Sequence, residues 1–135
     1  MQWQLAVGLT TNYLGMSFKT LLAYQKGFAL AMEIMEISKT FPKEETYSLT
    51  DQIRRSSRSV CANIAEAYRK RKYEKHFVSK LTDSDAENSE TQVWLQFAKA
   101  CGYITSENEA DFKSKSEEIG RLINYMIDNP GKFGV

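Results

Sequence analysis

The sequence predicts an all-α protein folded as an antiparallel up-down-up-down four-helix bundle. Three observations support this: apolar residues recur at helical spacing in four long segments, only two prolines occur in 135 residues, and the connections between segments are short. A chain of this length can bury a core as one domain. We expect the bundle to cover residues 18–128, after an unassigned N-terminal extension (1–17) and before a C-terminal tail (129–135).

The N-terminal extension shows a weak two-residue alternation of apolar side chains from Trp3 to Leu9, too short to assign a strand. Met16 is a plausible alternative start. Three readings stay open for this extension: a leader peptide, a cloning remnant or a docking arm.

The first helix is predicted from Phe18 to about Thr40, and Pro42 stops it. Its predicted core stripe is Tyr24, Phe28, Ala31 and Met35, widened by Leu30, Ile34, Ile37 and Phe41. The second helix is predicted from Ser48 to about Arg71, with Ser48 and Asp51 as a capping box. Its predicted core residues are Leu49, Ile53, Val60, Ile64 and Tyr68.

The third helix is predicted from about Tyr73 to Cys101, with Gly102 as its C-cap. Its ends are apolar, and the residues expected to pack there are Phe77, Val78, Leu81, Val93, Trp94, Leu95 and Phe97. The middle, residues 82–92, has Ala86 as its one apolar residue. Ser, Asp and Asn compete for backbone hydrogen bonds, which favours a break there, whereas a 3-4 spacing favours an unbroken helix with a polar inner face.

The fourth helix is predicted to begin near Glu107, with Thr105 or Ser106 as its cap, and to end at Asn129-Pro130-Gly131. Its predicted core stripe is Phe112, Ile119, Ile123 and Met126.

Catalytic, metal and cofactor chemistry is not expected. The single histidine, His76, is preceded at position 73 by tyrosine, so the Glu-x-x-His pairs of di-iron bundles are missing, and His76 is expected at the surface. Cys61 and Cys101 are expected as buried free thiols. The sequence carries no glycine-rich phosphate loop and no nucleophile elbow. We therefore expect no enzyme, no small-molecule substrate, no membrane span and a cytoplasmic location.

Charge is strongly segregated although the net charge is +1. Residues 52–80 carry nine Lys/Arg against two Glu, whereas residues 81–128 carry four basic and ten acidic residues. The candidate nucleic-acid-binding residues are Arg54, Arg55, Arg58, Arg69, Lys70, Arg71, Lys72 and Lys75. Three readings stay open: a solvated face whose cations favour a helix C-terminus, a surface for nucleic-acid phosphates, or one side of a subunit interface.

Polar residues also occur where helices two and three are expected to face inward. Asn63 stands among Cys61, Ala62, Ile64 and Ala65, and Ser84 keeps the apolar spacing of helix three. A buried hydrogen-bonded cluster, with Arg55 facing a carboxylate, would set the helix register. The predicted structural cluster consists of Asn63, Glu66, Asn88 and Glu90.

Several stretches together resemble a known family. They are Leu22–Lys26, Phe41–Glu45, Tyr47–Ser56, Ala62–Glu66 and Ser89–Gln92. In combination they are similar to the four-helix-bundle proteins encoded by intervening sequences in bacterial 23S rRNA genes. The similarity covers residues 18–128. The chain departs from the family pattern at Ala67, where glycine is usual, and at Arg69-Lys70, where Gly-Arg is common.

The resemblance implies a fold and an assembly rather than an activity. It implies an unbroken third helix and a ring-shaped homopentamer. The accessory variability protein of diversity-generating retroelements, a relative in fold, is also a pentameric barrel and binds nucleic acid and a reverse transcriptase. The resemblance therefore implies the chain itself as one partner, and RNA or DNA as a second.

Overall fold

The computed structural model describes residues 17–135, which contain four α-helices and no strand. The helices are α1 (Leu22–Ser38), α2 (Leu49–Arg69), α3 (Glu74–Ala100) and α4 (Ser106–Asp128). Short 3-10 turns precede α1, join α1 to α2 and follow α4: Phe18–Thr20, Lys43–Glu45 and Pro130–Phe133. The predicted all-α four-helix bundle is confirmed. The N-terminal alternation at residues 3–9 lies outside the described residues.

Each helix packs against two neighbours, so α1 and α3 lie diagonally across the bundle, as do α2 and α4. Consecutive helices joined by short connections run antiparallel. The α2–α3 turn, the start of α1 and the end of α4 therefore share one end of the bundle, which we call the turn end. Within residues 17–135 no helix has the length and apolar character needed to cross a membrane.

The core stripes predicted for α2 and α4 are confirmed. All nine predicted residues are buried: Leu49, Ile53, Val60, Ile64, Tyr68, Phe112, Ile119, Ile123 and Met126. The segment after α4 also packs onto the bundle, because the side chain of Phe133 is fully buried and contacts the ring of Tyr125.

The stripe predicted for α1 is confirmed in part: Leu30, Ala31, Ile34 and Phe41 are buried, and Tyr24, Met35 and Ile37 are partly buried. Phe28 is wrong, because it is 52% exposed, and the buried face also includes Ala23, Gly27 and Ser38. Two adjacent faces of α1 are apolar, and close contact with α2 selects between them. A Cβ at position 27 would lie 3.2 Å from Cys61 Sγ, so glycine there permits the approach. Residues 18–20, predicted as helix, form a 3-10 turn.

α3 is unbroken, which confirms the alternative that the resemblance implied. Three polar side chains of its middle are buried: Ser84, Asn88 and Thr91. Ser84 Oγ donates to the carbonyl oxygen of Val60 at 2.8 Å, and Thr91 Oγ1 lies 2.9 Å from Ser56 Oγ. Because buried partners satisfy these groups, the helix runs through the polar stretch without a desolvation penalty.

Asn88 ties α3 to α4. Its amide nitrogen donates to the carbonyl oxygen of Ser116 at 2.8 Å, and Ser116 Oγ donates to Asn88 Oδ1 at 2.9 Å. Gln92 Nε2 in turn donates to Ser116 Oγ at 2.9 Å. Ser116 was not among the predicted cluster, although it has the 4-3-4 spacing of the α4 stripe, between Phe112 and Ile119.

Two of the three predicted helix caps are confirmed. Gly102 follows α3 with φ 78°, and Thr105 Oγ1 accepts the backbone N–H of Asn108 at 3.0 Å. The capping box at Ser48 and Asp51 is wrong, because the side chain of Ser48 makes no capping bond. Glu45 Oε1 accepts the N–H of Leu49 instead, at 3.3 Å, from the 3-10 turn before α2.

One of the two cysteines departs from the expectation. Cys61 is buried as a free thiol, and burial raises its pKa to about 11. Cys101 is exposed, because it follows the last turn of α3 rather than lying on its inner face.

We expect Asn88→Ala to lower the free energy of unfolding by roughly 1–3 kcal/mol, because the buried hydroxyl and the carbonyl oxygen of Ser116 each lose the side-chain partner on α3. Asn124 is the matched control, since its exposed side chain bonds only a carbonyl of its own helix, and Asn124→Ala should change stability by less than about 0.5 kcal/mol. Urea unfolding measures both variants. Equal losses would contradict the structural role of Asn88.

Candidate nucleic-acid interface

The eight predicted basic residues form two groups rather than one patch. Arg54, Arg55 and Arg58, the α2 arginines, lie in the first half of α2. The others lie at its end and in the following turn and helix: Arg69, Lys70, Arg71, Lys72 and Lys75. Arg69 lies eleven positions after Arg58, which is about 16 Å along the helix axis. A single phosphate group cannot contact both groups of basic residues.

Two of the α2 arginines bond to neighbouring helices. Arg54 Nε donates to Ser38 Oγ of α1 at 2.7 Å. Arg55 Nη2 lies 3.4 Å from Glu90 Oε1 of α3, so the expected Arg55–carboxylate contact is present. Arg58 Nη2 lies 3.9 Å from Met35 Sδ, a weaker contact, and its side chain is exposed. Arg54 and Arg55 therefore connect α2 to helices on its two sides, and the three arginines do not form one free surface.

The second group includes four exposed cations that we call the turn cations. They are Arg69, Lys70, Lys72 and Lys75. None of the four has an ion-pair partner in the part of the chain that the structure describes. Hydrogen bonds hold the turn itself, since the N–H of Lys70 donates to the carbonyl oxygens of Glu66 and Ala67, and that of Tyr73 donates to Lys70. The cations therefore sit on an ordered connection.

Arg71 lies in the same turn but has a structural role. Its guanidinium stacks 3.6 Å from the centre of the Tyr68 ring, and its Nε donates to the carbonyl oxygen of Tyr68 at 2.7 Å. Its Nη1 also donates to the carbonyl oxygen of Phe133 at 3.4 Å. Arg71 thus joins the end of α2 to the C-terminal segment. The sequence gives no signal for this contact, because the acceptor is the backbone carbonyl of a residue 62 positions away.

An ion pair joins the two helices that flank the α2–α3 turn. Lys80 Nζ lies 2.8 Å from Glu66 Oε2, which connects α3 to α2. The hydrogen bond from Lys80 lowers the pKa of Glu66, and the same bond raises the pKa of Lys80. Glu66 is exposed and paired with Lys80, and attraction to the charge of Lys70 also lowers its pKa.

Aromatic side chains accompany the turn cations. Tyr73 is 58% exposed, and its ring meets that of His76 edge-on, 5.7 Å between centroids. Lys72 Nζ lies 5.8 Å from the centre of the Tyr73 ring. His76 is exposed, as predicted. The turn therefore presents cations and a ring on one small surface.

The predicted polar cluster does not come together. Asn63 Nδ2 donates to the carbonyl oxygen of Ser59 in its own helix, and Glu66 faces solvent. Glu90 is half-buried, accepting from Arg55 and from Trp94 Nε1 at 3.2 Å. Of the four, Asn88 alone is buried, and its side-chain partner is Ser116 of α4 rather than a residue of α2. The inference from Asn63's apolar neighbours failed because an amide can bond its own helix while lying at the edge of the core.

Two apolar surfaces remain exposed on opposite helices. On α1, Phe28 and Met32 are 52% and 49% exposed beside a groove of about 360 Å³ between α1 and α2. On α3, Val93 and Phe97 are 44% and 54% exposed, although they were expected to pack in the core. Their surfaces face different directions because α1 and α3 are diagonal in the bundle.

Comparison with known proteins gives a family match and a similarity to a solved structure. A sequence profile of the 23S rRNA-intervening sequence protein matches residues 19–125. The chain is similar to the crystal structure of a protein with unknown function from the S23 ribosomal protein family of Bacteroides thetaiotaomicron, with a TM-score of 0.72 and 30% sequence identity. That similarity covers 79% of this chain and 96% of the other. A search of curated proteins finds no match.

Replacing Arg71 tests whether it has a structural role that the turn cations do not have. Arg71→Ala should destabilise the fold by about 1–2 kcal/mol, because it removes a cation–π contact and two hydrogen bonds. Lys70→Ala, one position away and exposed, should change stability by less than about 0.5 kcal/mol. Urea unfolding compares the two. Losses of the same size would show that Arg71 has no special structural role.

Proposed function

The chain belongs to the 23S rRNA-intervening sequence protein family, and we propose that it acts as a non-enzymatic homo-oligomer that binds nucleic-acid phosphates through its turn cations. The observation that carries the proposal is the concentration of four exposed cations, without ion-pair partners among residues 17–135, on one ordered turn. Such cations bind a phosphate backbone by releasing condensed counterions, and this requires no reading of base sequence.

Helix electrostatics favour this function over a purely structural role. Cations in the last turn of a helix offset the negative end of its dipole, which accounts for Arg69 and Lys70 at the end of α2. Lys75 lies in the first turn of α3, where a cation opposes the positive end of the dipole. Tyr73, the N-cap of α3, also makes no side-chain capping bond. Glu74 in the same turn has the charge that the dipole favours, so the dipole accounts for Glu74 and leaves Lys75 without a structural reason, which suits contact with an external anion.

Self-assembly is supported by the two exposed apolar surfaces. Because these lie on diagonal helices, the α1 surface of one copy can meet the α3 surface of the next. Such a heterologous contact closes into a ring when the rotation allows it. A homopentamer is the ring that the family resemblance implies. In a ring the same end of every bundle faces the same way, so several copies of the turn would act on one nucleic acid.

A protein-interaction scaffold without a nucleic-acid role is the second candidate. The observation that favours it is Arg58, which is exposed at the edge of the apolar α1–α2 groove and has no ion-pair partner within the described residues. In this reading Arg58 pairs with a carboxylate of the adjoining subunit, and the turn cations are only solvated.

The absence of catalysis is part of the proposal. A general base is the commonest need of an enzyme, and the single histidine is exposed in ring contact with Tyr73. Across residues 17–135, no three side chains of the His, Cys, Asp or Glu type are grouped to hold a metal ion. The expected location remains the cytoplasm, where nucleic acid and free thiols are both found.

Binding should depend steeply on salt. For four phosphate contacts, raising the salt concentration from 50 to 200 mM should weaken nucleic-acid binding by roughly 50- to 150-fold, measured by fluorescence anisotropy with labelled RNA or DNA. Reversing the four turn cations to Glu should abolish binding at 50 mM salt. The matched control reverses four exposed lysines at the opposite end of the bundle: Lys39, Lys43, Lys99 and Lys113.

The control has the same change in net charge, so it separates a local site from general attraction. It should retain binding within a few fold. Lack of binding by the assembled wild-type protein at 50 mM salt would refute the nucleic-acid function, and equal losses in the two variants would refute its location.

Assembly should depend on the apolar surfaces. Phe28→Asp on α1 and Phe97→Asp on α3 should each raise the dissociation constant of the oligomer by roughly 30-fold or more, because a charge replaces an interface anchor. Tyr47→Asp is the control, since Tyr47 is 94% exposed and lies on neither surface. Light scattering measures the mass of each variant.

Light scattering and fluorescence anisotropy together separate the two candidate functions. If Arg58→Glu dissolves the oligomer and the four turn-cation reversals leave nucleic-acid binding unchanged, the scaffold function is correct. A wild-type protein that is monomeric at micromolar concentration would contradict both.

A further inference from the structure

Tyr73 is an exposed aromatic residue that the core does not need. Its side chain is 58% exposed at the N-cap of α3, with the turn cations on both sides along the chain. Its ring meets that of His76 edge-on, and Lys72 Nζ lies 5.8 Å from its centre. More than half of the side chain remains exposed, so a ligand can reach the ring.

We propose that the turn binds single-stranded nucleic acid, with Tyr73 stacking on an unpaired base while the turn cations contact the adjoining phosphates. The inference rests on the proposed function, because it assigns the class of nucleic acid bound at the same surface. Stacking on an aromatic side chain requires a base whose face is free. In a duplex that face is covered by the next base pair, so the ring could contribute little there.

The short turn makes the two kinds of contact simultaneous. The connection between α2 and α3 spans residues 70–73, and its hydrogen bonds fix the backbone from Lys70 to Tyr73. Phosphate contacts and a stacked base therefore fall within neighbouring nucleotides of one strand. Single-strand-binding surfaces combine the same two elements, a basic track and aromatic side chains on which bases stack.

The opposite end of the bundle offers an internal contrast. Tyr47 is 94% exposed, more than Tyr73, but it follows the acidic pair Glu44 and Glu45. Lys43 stands beside this pair, so the charges next to Tyr47 are mixed, and its exposure does not come with a basic segment. Tyr73 differs by its cationic surroundings and by the ring of His76 that orients it.

Fluorescence anisotropy at 50 mM salt tests the inference with labelled 12-nucleotide oligouridine, oligothymidine and a 12-base-pair duplex. Tyr73→Ala should weaken binding of the single strands by roughly 5- to 150-fold, the range measured for loss of one base–aromatic stack. Its binding to the duplex should change by less than about twofold. Tyr73→Phe keeps the ring and should bind within about twofold of wild type, and Tyr47→Ala should bind as wild type does.

The outcomes separate this inference from the function on which it rests. If the wild-type protein binds and the turn-cation reversals abolish binding, but Tyr73→Ala behaves as Tyr47→Ala does, single-strand stacking is refuted and phosphate binding stands. Equal losses on duplex and single strands also refute stacking. If nothing binds at 50 mM salt, both fail. A Tyr73-dependent loss on oligouridine alone or on oligothymidine alone supports the inference and identifies RNA or DNA as the ligand. Circular dichroism checks that each variant is folded. If Tyr73→Ala does not fold, Tyr73→Phe still tests whether an aromatic ring without the hydroxyl is sufficient for binding.

Discussion

The fold depends on hydrogen bonds that satisfy the polar inner face of α3. Ser84, Asn88 and Thr91 are buried where a bundle normally places aliphatic side chains, and each has a partner on α2 or α4. Without those partners the stretch would favour a break, because unsatisfied buried hydroxyls and amides cost free energy and Ser and Asn favour turns. Since they are satisfied, α3 runs for 27 residues and its first turn is held against the end of α2.

This packing explains why some residues of the basic segment have partners inside the fold and others do not. Arg54, Arg55 and Arg71 use their donors on Ser38, Glu90, Tyr68 and Phe133, which bind the helices and the C-terminal segment together. The turn cations remain on a connection that is ordered by both helices but covered by neither. Part of the basic segment is therefore used in contacts within the fold, and the turn cations are available to an anion.

The sequence was sufficient where one face of a helix is apolar, and insufficient where two faces compete. α2 and α4 each have a single stripe, so their core residues could be predicted. α1 is apolar on adjacent faces, and the choice depends on the contact of Gly27 with Cys61, which only the packed helices reveal. The cap of α2 was missed because Glu45 acts from a 3-10 turn. The candidate site was predicted as residue types, but which arginines have internal partners depends on residues 16 to 62 positions distant.

We propose that nucleic acid contacts the α2–α3 turn rather than the α2 arginines. Photocrosslinking with 4-thiouridine RNA tests it directly, followed by cleavage after glutamate and mass spectrometry. Cleavage after Glu66 and Glu74 releases residues 67–74 as one peptide, which contains Tyr73 and three of the four turn cations. If nucleic acid lies on the turn, this peptide carries most of the crosslinked nucleotide. Crosslinks concentrated on residues 52–66, or at the end of the bundle that carries Tyr47, would contradict it.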